Sequence, residues 1–208
     1  MTAVCRCLDV SFLKDEAVFQ HFLSTLTLSS RKEKVLSYRF ESGRILSLGA
    51  GLLLELSLKE AGLTDFTLAA EPYGKPYPVH GGLHFSLSHS GTMAVCAISS
   101  LPVGADVELI RPIRFRSVLR FFHPDEVKQI ESAESEEMEF TRIWTRKESY
   151  GKRNGTGISY DLKQFCFLKP QADDSCSFHE RCIQGHMITV CSSAQEEVKF
   201  LKTEFITR

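Results

Sequence analysis

The stretch IWTRKESYGK, residues 143–152, narrows the folds open to this chain. Phe140, Ile143 and Trp144 begin an apolar stripe of helical spacing, and the next places on that stripe hold Lys147 and Glu148. Trp144, Glu148 and Lys152 recur at i, i+4 and i+8 and stack along one side. A helix that starts against a core and ends in charge on its inward face must meet a counter-ion or a ligand there, because an unpaired buried carboxylate is costly. The plainer alternative is a surface helix whose stripe fades, with Glu148 and Lys152 as an ordinary ion pair.

The chain has 208 residues, 43% of them hydrophobic, enough to bury a real core. A net charge of −1 speaks against broad nucleic-acid or membrane-surface binding, so any basic site has to be local. The seven cysteines are odd in number, scattered and without a CxxC pair, which points to reduced thiols in a cytoplasmic protein. No basic segment followed by an apolar run opens the sequence, so no signal peptide is expected. The longest apolar stretch, LSLGAGLLLELSL at 46–58, contains Glu55, is too short to span a bilayer and reads as a buried helix.

Residues 3–12 read as a strand and 15–26 as a helix. A second helix follows from 29, with Ser29 or Ser30 as its cap, and a longer one covers 42–61, capped by Ser42 and stopped by Gly62. EPYGKPYP at 71–78 is turn-forming and excludes regular structure. Residues 83–100 read as a hairpin with a polar bend at Ser88–Gly91, and 103–110 as a further strand. Helices are expected near 114–122, 124–133 and 136–151, and β-structure from about 157. TMAVCAISS (92–100) and HMITVCSSA (186–194) share a register; the match is either chance or the mark of two similar α+β halves, 1–102 and 103–208.

In GADVE, Asp106 and Glu108 point to one face of a strand while Val103, Ala105 and Val107 point to the other. The carboxylate pair fits either the solvated face of an edge strand or a divalent cation site, for which Glu148 is the candidate third ligand. In HFSLSHSG, no acid is spaced for a serine-nucleophile triad; Ser88, His89 and Ser90 suit an anion instead. Arg31, Lys32, Lys34, Arg44 and Lys75 supply local positive charge, and there is no Walker A loop or G-x-G-x-x-G fingerprint.

With GKP, FSLSHS, GADVE and WTRKESYGK in this order, the chain resembles the 4′-phosphopantetheinyl transferases of the larger, Sfp-type class. Three motifs, F-[NS]-x-S-H, G-[VI]-D-[VIL]-E and W-[STC]-x-K-E-[AS]-x-x-K, are matched at the family's spacing, with Ala105 standing where Val or Ile is usual. Residues 31–44 match loosely, and Gly151 is expected to loosen the last turn of its helix. The resemblance implies two pseudo-symmetric α+β halves with the active site in the cleft between them, Trp144 anchoring its helix there. It implies a monomer that moves phosphopantetheine from coenzyme A to a serine of an apo acyl or peptidyl carrier protein, releasing adenosine 3′,5′-bisphosphate. Asp106, Glu108 and Glu148 would hold Mg²⁺. Lys152 would meet the pyrophosphate, either stabilising charge or acting as a base. Lys75, Ser88 and His89 would grip coenzyme A phosphates, with Arg31, Lys34 and Arg44 on the 3′-phosphate. RFRSVLRFFHPDEV (114–127) is a candidate carrier contact, although Phe121 and Phe122 equally suit a core. A catalytically silent module that binds coenzyme A or a carrier protein is the alternative. The smaller trimeric acyl-carrier-protein synthases fit the length and the doubled pattern less well.

Overall fold

The computed structural model describes residues 2–63, 67–70, 74–80, 82–112, 116–120, 122–156, 165–169, 171–173 and 175–206. The chain opens with β1 (Thr2–Asp9), a short 3₁₀ turn, α1 (Glu16–Thr25), α2 (Ser29–Ser37) and α3 (Glu41–Glu60). A small pair, β2 (Leu68–Ala70) and β3 (Pro76–Pro78), precedes the hairpin β4 (His84–Ser90) and β5 (Met93–Ser99). Then come β6 (Gly104–Leu109), α4 (Arg116–Leu119), α5 (Pro124–Glu131) and α6 (Glu136–Asn154). β7 (Gln171–Asp173), β8 (Cys176–Ile183), β9 (His186–Ser193) and β10 (Glu197–Lys202) complete it.

Two four-stranded sheets form, in the orders β10-β1-β5-β4 and β6-β9-β8-β7. In each, the strand bearing the echoed sequence lies between its two antiparallel partners: β5 between β1 and β4, β9 between β6 and β8. Their inner faces pack together through Cys5, Cys7, Met93, Val95 and Ala97 on one side and Val103, Ala105, Val107, Ile188 and Val190 on the other. β6 thus buries its apolar residues between the sheets and turns Gly104, Asp106 and Glu108 the other way. β10, from the far end of the chain, pairs in parallel with β1 and joins the first sheet.

α3 covers the outer face of the first sheet and α6 that of the second. α3 is apolar nearly all round because α1, α2 and β5 enclose it, with Phe19, Phe22, Val35 and Cys96 in its core. α3 and α6 close alike. Leu63 N donates to Leu58 O at 3.0 Å and Thr156 N to Gly151 O at 3.1 Å, around Gly62 and Gly155 in the left-handed region (φ +87° and +70°). Gly151 therefore does not end its helix; α6 runs on to Asn154.

Three local expectations are corrected. Neither Ser29, Ser30 nor Ser42 caps a helix; at α2 the buried Glu55 carboxylate accepts from Thr27 N (2.7 Å) and Leu28 N (2.8 Å), doing the cap's task from 27 and 28 residues away. Residues 76–78 form a strand despite their two prolines, because the pair β2–β3 offers an edge position. The bend expected at Ser88–Gly91 is β-strand as far as Ser90, and the chain reverses at Gly91–Thr92. Among the described residues no helix is long and apolar enough to cross a membrane.

Candidate active site between the sheets

The free edge of β4 faces β6, and alternate serines of FSLSHS join the two sheets there. Ser86 Oγ accepts from Ala105 N (2.9 Å), Ser88 Oγ donates to Asp106 Oδ1 (2.8 Å), and Ser90 Oγ accepts from Leu109 N (3.2 Å). These hydroxyls replace a backbone ladder between two edges. Ser90, grouped with the anion donors from sequence, accepts here from a backbone amide and keeps its own O–H.

α6 crosses β6 at Gly104. A Cβ there would lie 1.9 Å from Ser149 O and 2.4 Å from Arg153 N, so only glycine permits the approach. The close crossing brings Glu148 and Lys152 of α6 to Asp106 and Glu108. Lys152 Nζ donates to Asp106 Oδ1 (2.7 Å) and Ser88 Oγ (2.9 Å). Burial pushes the Glu148 carboxyl up to about 7; Asp106 and Glu108 add to the shift and Lys152 opposes it.

Beside this cluster lies a cavity of about 430 Å³, lined by Arg31, Lys34, Lys75, His89 and Lys152, with no carboxylate in its lining among the described residues. Arg31 donates through Nη2 to Ser47 O (3.0 Å), while its buried Nε has no partner among the described residues. Lys34 lies over the Tyr38 ring, 5.4 Å from its centroid, and Tyr38 meets His89 edge-on. Burial holds the His89 imidazole below its ordinary value, with Lys152 and Arg31 acting in the same direction. Lys75 Nζ donates to Arg153 O (3.0 Å) and Val103 O (3.3 Å), tying the segment before β3 to the end of α6. Arg44 is not brought into the cavity. It is exposed, and its Nε donates to Tyr38 O (2.9 Å), which orders the turn between α2 and α3.

Asp106, Glu108 and Glu148 offer the hard oxygen donors that Mg²⁺ takes, and their mutual repulsion, read in the raised Glu148 carboxyl, is what a cation would relieve. Their chemistry fits the ion. Among the described residues, though, no three His, Cys, Asp or Glu side chains stand grouped as a metal site. Lys152 serves as the cation on Asp106 instead.

Sequence reasoning missed the residues that hold α6. Lys147, not Glu148, is the fully buried charge of the stripe; it pairs with the equally buried Glu126 at 2.9 Å. The signal was Lys147's place in line with Phe140 and Ile143. Arg146 binds Glu180 through Nε (2.6 Å) and Nη2 (2.9 Å). Trp144 does not sit between the sheets. It stacks on Phe122 and Phe140 in a cluster with α5, because its place on the helix faces that way. Phe122 is core, while Phe121 lies outside the described residues.

The family model described as the 4′-phosphopantetheinyl transferase superfamily matches residues 102–202. A 4′-phosphopantetheinyl transferase of Bacillus subtilis is 30% identical over 172 residues, covering 75% of this chain and 77% of the relative. The 4′-phosphopantetheinyl transferase Sfp of Bacillus subtilis is 30% identical over 151 residues, 70% of this chain and 67% of the relative. For HetI of a Nostoc species the figures are 30% over 155 residues, 69% and 65%. With sheets, motifs and relatives in agreement, this chain belongs to the 4′-phosphopantetheinyl transferase superfamily.

Proposed function

We propose that this protein transfers the 4′-phosphopantetheine group from coenzyme A to a serine of an apo acyl or peptidyl carrier protein. The observation that carries the reading is a cavity lined by four cationic side chains and His89, opening beside three carboxylates on β6 and α6. Polyphosphate belongs in the first and a hard cation at the second. The carrier serine oxygen bonds to the phosphorus that bears pantetheine, the pyrophosphate P–O bond breaks, and adenosine 3′,5′-bisphosphate departs.

Arg31, Lys34, Lys75 and His89 hold the nucleotide phosphates. Arg31's partnerless Nε gives one donor already desolvated. Lys152 stands where it balances charge on the pyrophosphate, and Ser88 orients its ammonium. On this reading the serine proton passes to Glu148 or to Lys152. Mg²⁺ held by Asp106, Glu108 and Glu148 would neutralise charge on the departing phosphate. On this reading the cleft separates an N-terminal half, 1–102, from a C-terminal half, 103–208, and the protein works as a cytoplasmic monomer. Its seven free thiols, five of them buried, accord with a reducing compartment.

A silent binding module is the second reading, favoured by the Lys152–Asp106 pair standing where a ligated cation would be. Mass spectrometry of apo carrier proteins after incubation with the protein, coenzyme A and Mg²⁺ separates the two. A phosphopantetheine mass gain that disappears with EDTA and with Glu148→Ala establishes transfer. Coenzyme A binding without gain on fatty-acid, polyketide or peptide carriers establishes the module.

A further inference from the structure

We propose that Glu126 and Lys147 form a buried positioning device that sets the rotation of α6, and through it the placement of Glu148. This rests on the transferase reading above. Both side chains are wholly inaccessible to solvent and lie 2.9 Å apart. Both members of the pair also grip backbone. Glu126 Oε1 accepts from Phe167 N (2.8 Å), Glu126 Oε2 accepts from His123 N (3.0 Å), and Lys147 Nζ donates to Phe165 O (3.1 Å). The rings of Phe122 and Phe167 flank the ammonium at 5.1 and 4.7 Å. One ion pair thus registers α6, the start of α5 and the segment 165–167 against one another.

Stability alone does not account for such a pair. Two charges taken from water gain little over apolar residues of equal volume, which pack without desolvation cost. A charged pair differs from an apolar one in direction: its hydrogen bonds admit one rotation of the helix, whereas leucine and methionine tolerate several. Glu148 follows Lys147 directly, about 100° further round the helix, and faces Asp106 and Glu108. On that side Gly104 limits the distance of α6 from β6 but, having no side chain, not its rotation. Glu126 and Lys147 supply that constraint from α5, as Arg146 and Glu180 do from β8. Misplacing a reacting group by about 1 Å lowers rate on the order of 100-fold.

The test is the pair of substitutions Glu126→Leu and Lys147→Met made together, which leaves no unpaired charge. Folding is followed by the fluorescence of Trp144 and by thermal unfolding. A second neutral variant, Glu126→Gln with Lys147→Met, retains an oxygen for the backbone amides and serves if the first does not fold. Ile130→Ala, which loosens the same cluster without removing a contact of the pair, is the control. Steady-state carrier loading should show kcat lowered at least about tenfold with KM for coenzyme A within about twofold, since Arg31, Lys34, Lys75 and His89 lie outside α6. The Ile130→Ala protein should keep kcat at an equal or greater loss of Tm. A folded double variant with unchanged kcat, or a kcat that falls in step with Tm in all variants, overturns the inference. A wild-type chain that loads no carrier overturns the transferase reading and this inference with it.

Discussion

Lys152 Nζ lies 2.7 Å from Asp106 Oδ1, and Ser88 Oγ bonds to both, so three elements from two sheets meet at one ammonium. The Asp106 side chain is only 8% exposed, and Lys152 is its counter-charge. Lys152→Met should lower stability by about 2 kcal/mol in EDTA, the scale of a lost charge-assisted bond to a buried acceptor. Mg²⁺ should restore more of the Tm in the variant than in the wild type, because a carboxylate without a partner gains more from a cation. Equal shifts in both proteins would place the ion elsewhere.

Gly104→Ala puts a methyl group into the backbone of α6 at Ser149 and Arg153. Neither neighbour is a flexible side-chain tip, so the helix itself must move. Chemical denaturation should show a loss of about 3 kcal/mol, and activity of the remaining folded protein should fall further than stability alone explains. A variant of wild-type activity would mean the crossing is looser than the structure shows.

Glu55 reaches from α3 to the start of α2, two turns of chain that otherwise have no side-chain cap. Glu55→Ala leaves the Thr27 and Leu28 amides, just before α2, without their acceptor and should cost about 2 kcal/mol. Arg31 lies in the first turn of α2, so calorimetry should also show weaker coenzyme A binding. Glu55→Gln, which keeps one acceptor, should recover part of both.

On the proposed reading, the buried His89 should give coenzyme A binding a pH dependence. Burial lowers the pKa of the free protein's imidazole, so the folded state binds fewer protons than the unfolded chain. Its contribution to stability is present above the ordinary value of about 6.5 and is lost as pH falls through the folded value. A phosphate against the ring favours the protonated form. Binding should therefore take up a proton and tighten as pH falls below neutrality, and His89→Gln should remove both effects. Calorimetry in buffers of different ionisation enthalpy measures the uptake directly.

Much of the site was legible in the sequence because its chemistry is carried by short segments. Period-2 placement of Asp106 and Glu108 and period-4 placement of Glu148 and Lys152 define faces whatever surrounds them. The echo of residues 92–100 in 186–194 marked β5 and β9, which hold equivalent places in their sheets. The serines of FSLSHS had the same period-2 signal, but nothing local says that their shared face meets β6 rather than a ligand. Arg44 looked no different from Arg31, since both are arginines beside a helix start; only the turn between α2 and α3 turns one toward the cavity and the other toward Tyr38 O.

What the sequence determined alone is therefore the identity and local facing of the reactive groups. Tertiary structure decided their partners: Glu55 as the cap of α2, Glu126 as the partner of Lys147, and Lys152 as the cation on Asp106. The physical reason is range. Periodicity is set by the backbone within a few residues, whereas a buried charge is satisfied by whichever opposite group the packed sheets and helices carry to within about 3 Å, from any distance along the chain.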